Sequence, residues 1–482
     1  MIRKFINRID DLALLNHEYL SDSFSFTIIY GRRRVGKTEL ISHFQMDKPH
    51  IYFLADKRGT SSNLHRFRKK AADLFEDYVP DLETFDQVFE YIRTKWVSRK
   101  KLIIVIDEFS YLAQMDESIP SVFQLIVDEI LKSPRFYLIL CGSSISMMEL
   151  STLAYSSPLY GRRTSQIKLQ PMRFRDIRGF FGKSKPDELI KIFGASGGIP
   201  FYLQFFNPES SFCENVKNIL FAKEAVLYAE AEILLREELR EPATFMNILF
   251  AISKGATRPN EIALKSYMEV KDLPYYLDIL IRLGFIKKEH PVTERPVTKK
   301  TIYRINDNFI RFWFRYILTH KDELEQGYKE QAMEDLNDSY STYLGETFEQ
   351  VSKEMLIYMN LSGKLPFHFK NIGRQWGKIP RVPSGRNNYE IDIAAINSDT
   401  NEILFCECKY QDKKTDSDVY LKLKEKAGFV QWQSDQKNYF ALISKFGFTD
   451  KMKRAAKKDD VLLLTLDDYV LSSKKNYSDL KM

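Results

Sequence analysis

The sequence predicts an α/β protein of several domains that opens with a doubly wound, parallel-sheet core. Three observations predict this. Several apolar runs lack polar alternation, as strands buried on both faces do. Helical stretches separate those runs, which is the rhythm of a parallel sheet with crossover helices. A glycine-bearing loop, Gly31-Arg32-Arg33-Arg34-Val35-Gly36-Lys37-Thr38, lies between the first such strand and the helix after it. At roughly 100–200 residues per domain, 482 residues allow three or four domains.

Phe24 to Tyr30 is the first expected strand, and the loop leads into a helix through Glu39 to Phe44. Ile51 to Leu54, Leu102 to Ile106 and Phe136 to Leu140 are the next strands. This core is expected over residues 1–168. Residues 169–238 read as helical, broken at Gly197-Gly198-Ile199-Pro200. Residues 239–318 change style. An amphipathic helix spans Ala243 to Ile252, and Pro259 begins a second. Leu273 to Leu283 makes a third that stops at Gly284, as helices often do. Phe285 to Lys288 and Thr301 to Ile305 then pair as a hairpin. Three helices and a hairpin make a winged helix. A polar linker helix, 319–338, leads to a last α/β domain over 339–482.

Composition narrows the class. Hydrophobic residues make up 44% and charged residues 28%, which fits a protein with real cores. No apolar run reaches the roughly 18–20 residues of a membrane span, so no membrane partner is expected. The first residues lack a signal-like apolar core, and a cytoplasmic location is expected. Cys141, Cys406 and Cys408 sit in strand-like runs and read as small hydrophobes rather than zinc ligands. The net charge of +7 is spread along the chain and does not by itself argue for nucleic acid.

The Gly-x4-Gly-Lys-Thr spacing points to a nucleotide phosphate. Glycines let the backbone curl so that its N–H groups face the phosphates. Gly31 through Glu39 form the expected ATP-binding segment. Lys37 would reach the β- and γ-phosphates, and Thr38 would hold Mg²⁺. The helix dipole adds to the site, and Arg32, Arg33 and Arg34 merely favour an anion. A later strand ends in Asp107-Glu108. Asp107 is expected to bind Mg²⁺ through water, and Glu108 to orient or deprotonate the attacking water. Ser143, after the next strand, either touches the γ-phosphate or water, or belongs to a simple turn. Arg162 and Arg163 either stabilise γ-phosphate charge, in cis or across a subunit interface of a homo-oligomer, or make ordinary salt bridges.

These residues resemble a known family. The loop, the Ile106-Asp107-Glu108-Phe109 strand end, Cys141-Gly142-Ser143-Ser144, Pro158 to Thr164 and Gly197 to Leu203 look like the archaeal-type ATPases, of the AAA+ and STAND-related group. The resemblance covers residues 1 to about 235. It implies an ATPase with a RecA-like core and a small helical lid, and it supplies no substrate.

A second constellation lies near the C-terminus. Glu390-Ile391-Asp392-Ile393 is followed by Phe405-Cys406-Glu407-Cys408-Lys409, with a turn-like Asn397 to Asn401 between. Alternation along a strand puts Glu407 and Lys409 on one side. A hairpin would bring Asp392 to them. Two acids can hold Mg²⁺ or Mn²⁺, and the lysine can position water against a phosphodiester. Glu346 or Glu349, on a helix expected from Ser341 to Leu356, could add a carboxylate. The alternative is a hairpin with ordinary surface charges. Residues 235 to 482 also resemble the uncharacterised domain often fused to these ATPases, through Leu235 to Pro242, Asp307 to Arg315, Ile372 to Gly377 and the two strands. That domain looks like a restriction-endonuclease-like nuclease fold. DNA is the expected substrate if it is active. The alternative is a nucleotide-switched binding protein with an inert domain. In the winged helix, Lys265, Lys271, Arg282, Lys287, Lys288, Lys299 and Lys300 could face phosphates, but acids lie among them and a packing role stays equally open.

Overall fold

The computed structural model describes residues 5–182, 184–296, 298, 300–383 and 387–469. Lys299 lies outside them. The chain divides into two compact units. One comprises residues 1–172 with Ile199–Phe201, and the other comprises 173–198 with 202–482.

In the first unit, β1 (Ser25–Tyr30), β2 (His50–Leu54), β3 (Leu102–Asp107), β4 (Phe136–Gly142) and β5 (Ser165–Lys168) form one sheet in the order β2-β3-β4-β1-β5. Every pairing is parallel. The residues of β1, β3 and β4 are all buried, so the unbroken apolar runs follow from helices covering both faces. β5 is a strand the polar segment Ser165-Gln166-Ile167-Lys168 does not advertise. It pairs with β1 at the far edge, and Ile167 alone is buried. Lys101 is also buried. Its ammonium donates to the Glu18 and Ser23 carbonyls and to the Ser21 and Ser25 hydroxyls, tying the helix Ile9–Leu20 to the sheet.

The second unit begins with short helices, among them Phe174–Phe181 and Pro186–Ser196. Three helices follow, Pro242–Ser253, Pro259–Lys265 and Leu273–Arg282. The antiparallel pair β6 (Ile286–Glu289) and β7 (Ile302–Ile305) comes after them. The second half of the expected linker and the helix expected from Ser341 are one continuous helix, Glu330–Leu361, while the first half of the linker holds a separate short helix, Lys321–Glu325. No proline interrupts it. Ala332, Leu336, Tyr340, Leu344, Phe348, Val351 and Met355 recur every three or four residues and bury one stripe along it. The single Gly345 costs too little to break a helix so anchored.

The last elements are β8 (Asn371–Lys378), β9 (Asn388–Asn397), β10 (Glu402–Lys409), β11 (Lys437–Ser444) and β12 (Leu462–Thr465). Their order is β12-β11-β10-β9-β8, with β8, β9 and β10 antiparallel to their neighbours and β10, β11 and β12 parallel. Ile391, Ile403, Phe405 and Leu442 pack with Leu423 of the helix Ser417–Gly428 and Met452 of the helix Asp450–Asp459. Helix Glu330–Leu361 packs on β9 and β10. Among the described residues, no helix is long and apolar enough to cross a membrane.

Candidate functional site

The strand order brings three chain segments together at the carboxyl ends of parallel strands, where open α/β sheets form their ligand crevice. The glycine loop leaves β1, Asp107 ends β3, and Ser143 follows β4, which lies between them. Gly31 has φ +152°, and a Cβ there would lie 2.4 Å from the Leu169 carbonyl oxygen. Gly36 has φ +96° and caps the helix Lys37–Gln45. Arg34 between them is also left-handed, at φ 69°. Three such residues in six curl the loop tightly.

Lys37 is buried, and its ammonium donates to the carbonyls of Gly31 (2.8 Å) and Arg32 (3.1 Å). Thr38 Oγ1 donates to Asp107 Oδ2 over 3.0 Å, and the Tyr52 hydroxyl donates to the same oxygen over 2.5 Å. Asp107 Oδ1 accepts from the Glu108 amide. Burial, then the Asp107 carboxylate, pushes the Tyr52 phenol far above its ordinary pKa, so it stays a donor. Glu108 sits at φ 56°, an uncommon conformation for a side chain of its size. Its carboxylate accepts from Ser143 Oγ at 2.7 and 2.8 Å and from the Ser143 amide at 3.2 Å. Ser143 therefore bonds the neighbouring acid.

The loop arginines make contacts inside this unit. Arg33 donates to the Tyr111 hydroxyl over 2.9 Å. The Arg34 guanidinium lies 4.5 Å from the centre of the Phe201 ring, and Arg32 is buried. Arg162 is committed to Asp128, with Nε 2.9 Å from each carboxylate oxygen and Nη2 2.8 Å from Oδ2. The ordinary salt bridge, one of the two readings of Arg162, is present. Arg163 is half-buried and close enough to Tyr30 for its charge to oppose the rise in that phenol's pKa. Two participants were not legible in the sequence. Tyr52 is one. Arg8 is the other, donating to Val35 O (2.9 Å) and Gln170 O (2.8 Å) and so clamping the loop to the segment after β5.

The fit to a nucleotide and its metal is chemical. Thr38 and Asp107 set a hydroxyl and a carboxylate against each other at 3.0 Å, and hard cations such as Mg²⁺ take oxygen donors of this kind. Lys37 offers a cation at the head of a helix whose first amides face the loop.

In the second unit, β9 and β10 pair up to Ile393 with Cys406, and Asp392 and Glu407 are the next residues of each strand. Asp392 accepts from the Cys408 amide over 2.8 Å. Burial and the neighbouring Glu407 carboxylate push Asp392 up to about 6. Glu407 is buried and held by two ammonium groups, Lys409 at 3.0 Å and Lys426 at 3.0 and 3.2 Å. Burial alone would lower the Lys409 pKa, but Glu407 outweighs it and raises the group. Of the two extra candidates, Glu349 is the one beside Asp392. Burial pushes it up to about 7, against the pull of Arg374. Arg374 ion-pairs both Glu349 and Glu390. Glu346 pairs instead with Arg311 at 2.7 Å, and Arg311 and Arg304 outweigh its burial to bring it down to about 2. Among the described residues, no group of three or more His, Cys, Asp or Glu is placed to share a metal ion. A cation at Glu407 would compete with Lys409 and Lys426.

A phosphate loop at the end of β1, an acidic pair at the end of β3 and a five-stranded parallel sheet define the first unit as a P-loop ATPase domain. Residues 5–206 match the family described as an ATPase domain predominantly from Archaea. Residues 313–420 match one described as archaeal and bacterial proteins of unknown function. The chain belongs to the family of archaeal-type ATPases that carry both. An uncharacterized protein of Methanocaldococcus jannaschii is 37% identical over 470 residues, 96% of this chain and 100% of that one. An uncharacterized ATP-binding protein of the same organism is 43% identical over 44 residues, 9% of this chain and 75% of that one. Among solved structures, a Walker-type ATPase of Pyrococcus abyssi superposes with a TM-score of 0.51 at 20% identity, covering 64% of this chain and 96% of that one. At that identity the likeness speaks to the fold alone.

Proposed function

We propose that the first unit binds ATP with Mg²⁺ and hydrolyses it, and that nucleotide state controls the second unit. The observation that carries this is the shared Asp107 carboxylate, bonded to Thr38 of the loop at 3.0 Å and followed by Glu108 locked to Ser143. Lys37 would leave the loop carbonyls for the β- and γ-phosphates. Thr38 would hold the metal directly, and Asp107 through water. When bound, the metal would neutralise charge on the β- and γ-phosphate oxygens. Glu108 would orient the attacking water and accept its proton. Ser143 fixes the Glu108 carboxylate through two donors, so the acid needs little reorganisation at the moment of reaction. Lys37→Ala should lower ATP turnover by at least ~100-fold, measured as phosphate release. Unchanged hydrolysis would sink the ATPase assignment.

For the second unit, the proposed role is a nuclease-like domain acting on DNA. Support comes from the order helix, three antiparallel strands, helix, strand, with Asp392 on one strand and Glu407-x-Lys409 on the next. The three helices and hairpin from Pro242 to Ile305 are proposed to be a winged helix. Cleavage of DNA with Mg²⁺ or Mn²⁺, lost in Asp392→Ala, Glu407→Ala and Lys409→Ala, would support catalysis. A second reading is an inert fold that serves as an interaction surface under nucleotide control. The two lysines on Glu407 and the arginine on Glu349 favour it, since they already neutralise the acids. DNA binding without cleavage would decide for that reading.

A further inference from the structure

We infer that Tyr52 is a positioning residue of the nucleotide site, acting through Asp107 on the metal. The proposal rests on the reading of Asp107 as the metal's acid.

Tyr52 lies on β2, the edge strand, outside both the glycine loop and the acidic strand end. Its neighbour in register on β3 is Val105, and Leu54 is the residue opposite Asp107. The phenol therefore spans two residues along the strand to place its hydroxyl 2.5 Å from Asp107 Oδ2. That oxygen also accepts from Thr38 Oγ1 at 3.0 Å, and Oδ1 accepts from the Glu108 amide at 2.9 Å. Asp107 is 2% exposed. Three donors on two oxygens, with the buried Cys141 thiol also bonded to the carboxylate, set its orientation, and removing one donor loosens it.

The three donors are not equivalent. Thr38 would exchange Asp107 for the metal when the metal binds, because its hydroxyl oxygen is the expected ligand. The Glu108 amide is backbone and holds only Oδ1. Tyr52 is the hydroxyl that can keep its bond to Oδ2 while Thr38 turns to the metal. The ring is half-buried on the edge strand. A donor of this kind fixes an acid that meets the metal through water, and the low end of the roughly 10–100-fold range for outer-shell partners is expected on its loss.

The test is binding rather than turnover. Tyr52→Phe keeps the ring and removes only the hydroxyl. Binding of a slowly hydrolysed ATP analogue is measured by calorimetry in EDTA and across a Mg²⁺ titration, with Mn²⁺ paramagnetic resonance on the same complexes. The expected result is an unchanged affinity in EDTA and a Mg²⁺ half-saturation raised about 10-fold, with Mn²⁺ weakened in parallel. Identical metal dependence in variant and wild type overturns the role of Tyr52 while leaving the ATP site standing. Equal weakening with and without metal also overturns it, since that marks a merely structural residue. A wild-type chain whose analogue binding is insensitive to Mg²⁺ overturns the proposal together with the reading of Asp107 beneath it.

Discussion

Asp107 and Glu407 are both buried acids on a sheet strand, at 2% and 7% exposure, yet they are satisfied by different means. Neutral donors hold Asp107: two hydroxyls, one amide and the Cys141 thiol. Two ammonium groups hold Glu407, and a guanidinium holds the nearby Glu349. Neutral donors orient a carboxylate and leave its charge in place to attract a cation. Ammonium and guanidinium groups orient it and cancel the charge as well. The nucleotide site is thus arranged to receive charge from outside. The C-terminal cluster is balanced within itself, and a metal there must displace a cation the chain already supplies.

The largest effect expected from this contrast is on stability. Arg374 is mostly buried and pairs with two acids. Arg374→Met should destabilise the second unit by about 3 kcal/mol, the low end for a broken buried pair because Glu390 is half-exposed. Adding Glu349→Gln should recover part of the loss. Asp107→Asn should cost less, because an amide oxygen still accepts from Thr38 and Tyr52 and only the acceptor for the Glu108 amide is lost. Urea unfolding of the three variants measures this, and equal losses for Arg374→Met and Asp107→Asn would erase the distinction between the two sites.

Next comes catalysis at the site held by neutral donors. Glu108→Gln keeps the shape and one oxygen to accept from Ser143 but cannot accept a proton. Turnover should fall ~100-fold, worth about 2.7 kcal/mol of barrier, with ATP affinity unchanged. Steady-state hydrolysis alongside analogue binding separates the two quantities. Wild-type turnover in this variant would remove Glu108 from the chemistry.

A buried acid with no ion pair among the described residues should show a pH signature of its own. Glu354, on the long helix, accepts from the Phe174 amide over 3.1 Å. Burial pushes it up to about 7. Its folded pKa lies above the unfolded value, so the folded state binds this proton more tightly. The contribution of Glu354 to stability is therefore full below about pH 4.5 and is lost as pH rises towards 7. Glu354→Gln removes the titration and retains an acceptor. It should stabilise the protein by about 2 kcal/mol at pH 8 and by nothing at pH 4.5. Denaturant midpoints at the two pH values test it, and a gain independent of pH would point to packing instead.

The legible and illegible parts divide along physical lines. β1, β3 and β4 were readable because burial on both faces demands unbroken apolar residues. β5 is an edge strand of four residues, and β8 carries Gly373, Arg374, Gln375 and Gly377, so neither has a pattern to find. Lys37, Thr38, Asp107 and Glu108 come together as their spacing implied. The contact of Tyr52 with Asp107 depends on the register of β2 against β3, and the clamp from Arg8 on a residue 27 positions away. Neither register nor long-range approach is written in local spacing. Asp392, Glu407 and Lys409 were also brought together. Lys426, the cation that alters their meaning, arrives from a helix that begins eight residues after Lys409.

The smallest effect concerns Arg162, and it tests whether cations in the first unit serve the site or only the scaffold. Its guanidinium binds both oxygens of Asp128 and the Pro158 carbonyl. The two side chains are 29% and 38% exposed, so solvent screens the pair and its worth is at most about 1 kcal/mol. Arg162→Ala should therefore shift the melting temperature only slightly and keep ATP turnover within about 3-fold, a barrier change under 1 kcal/mol. Arg163→Ala is the informative partner, because no ion pair engages Arg163 among the described residues. A ~100-fold loss of turnover in Arg162→Ala would mean that the pair with Asp128 opens during the reaction. The first unit would then also keep a compensated charge in reserve, and the contrast with Glu407 would be one of degree.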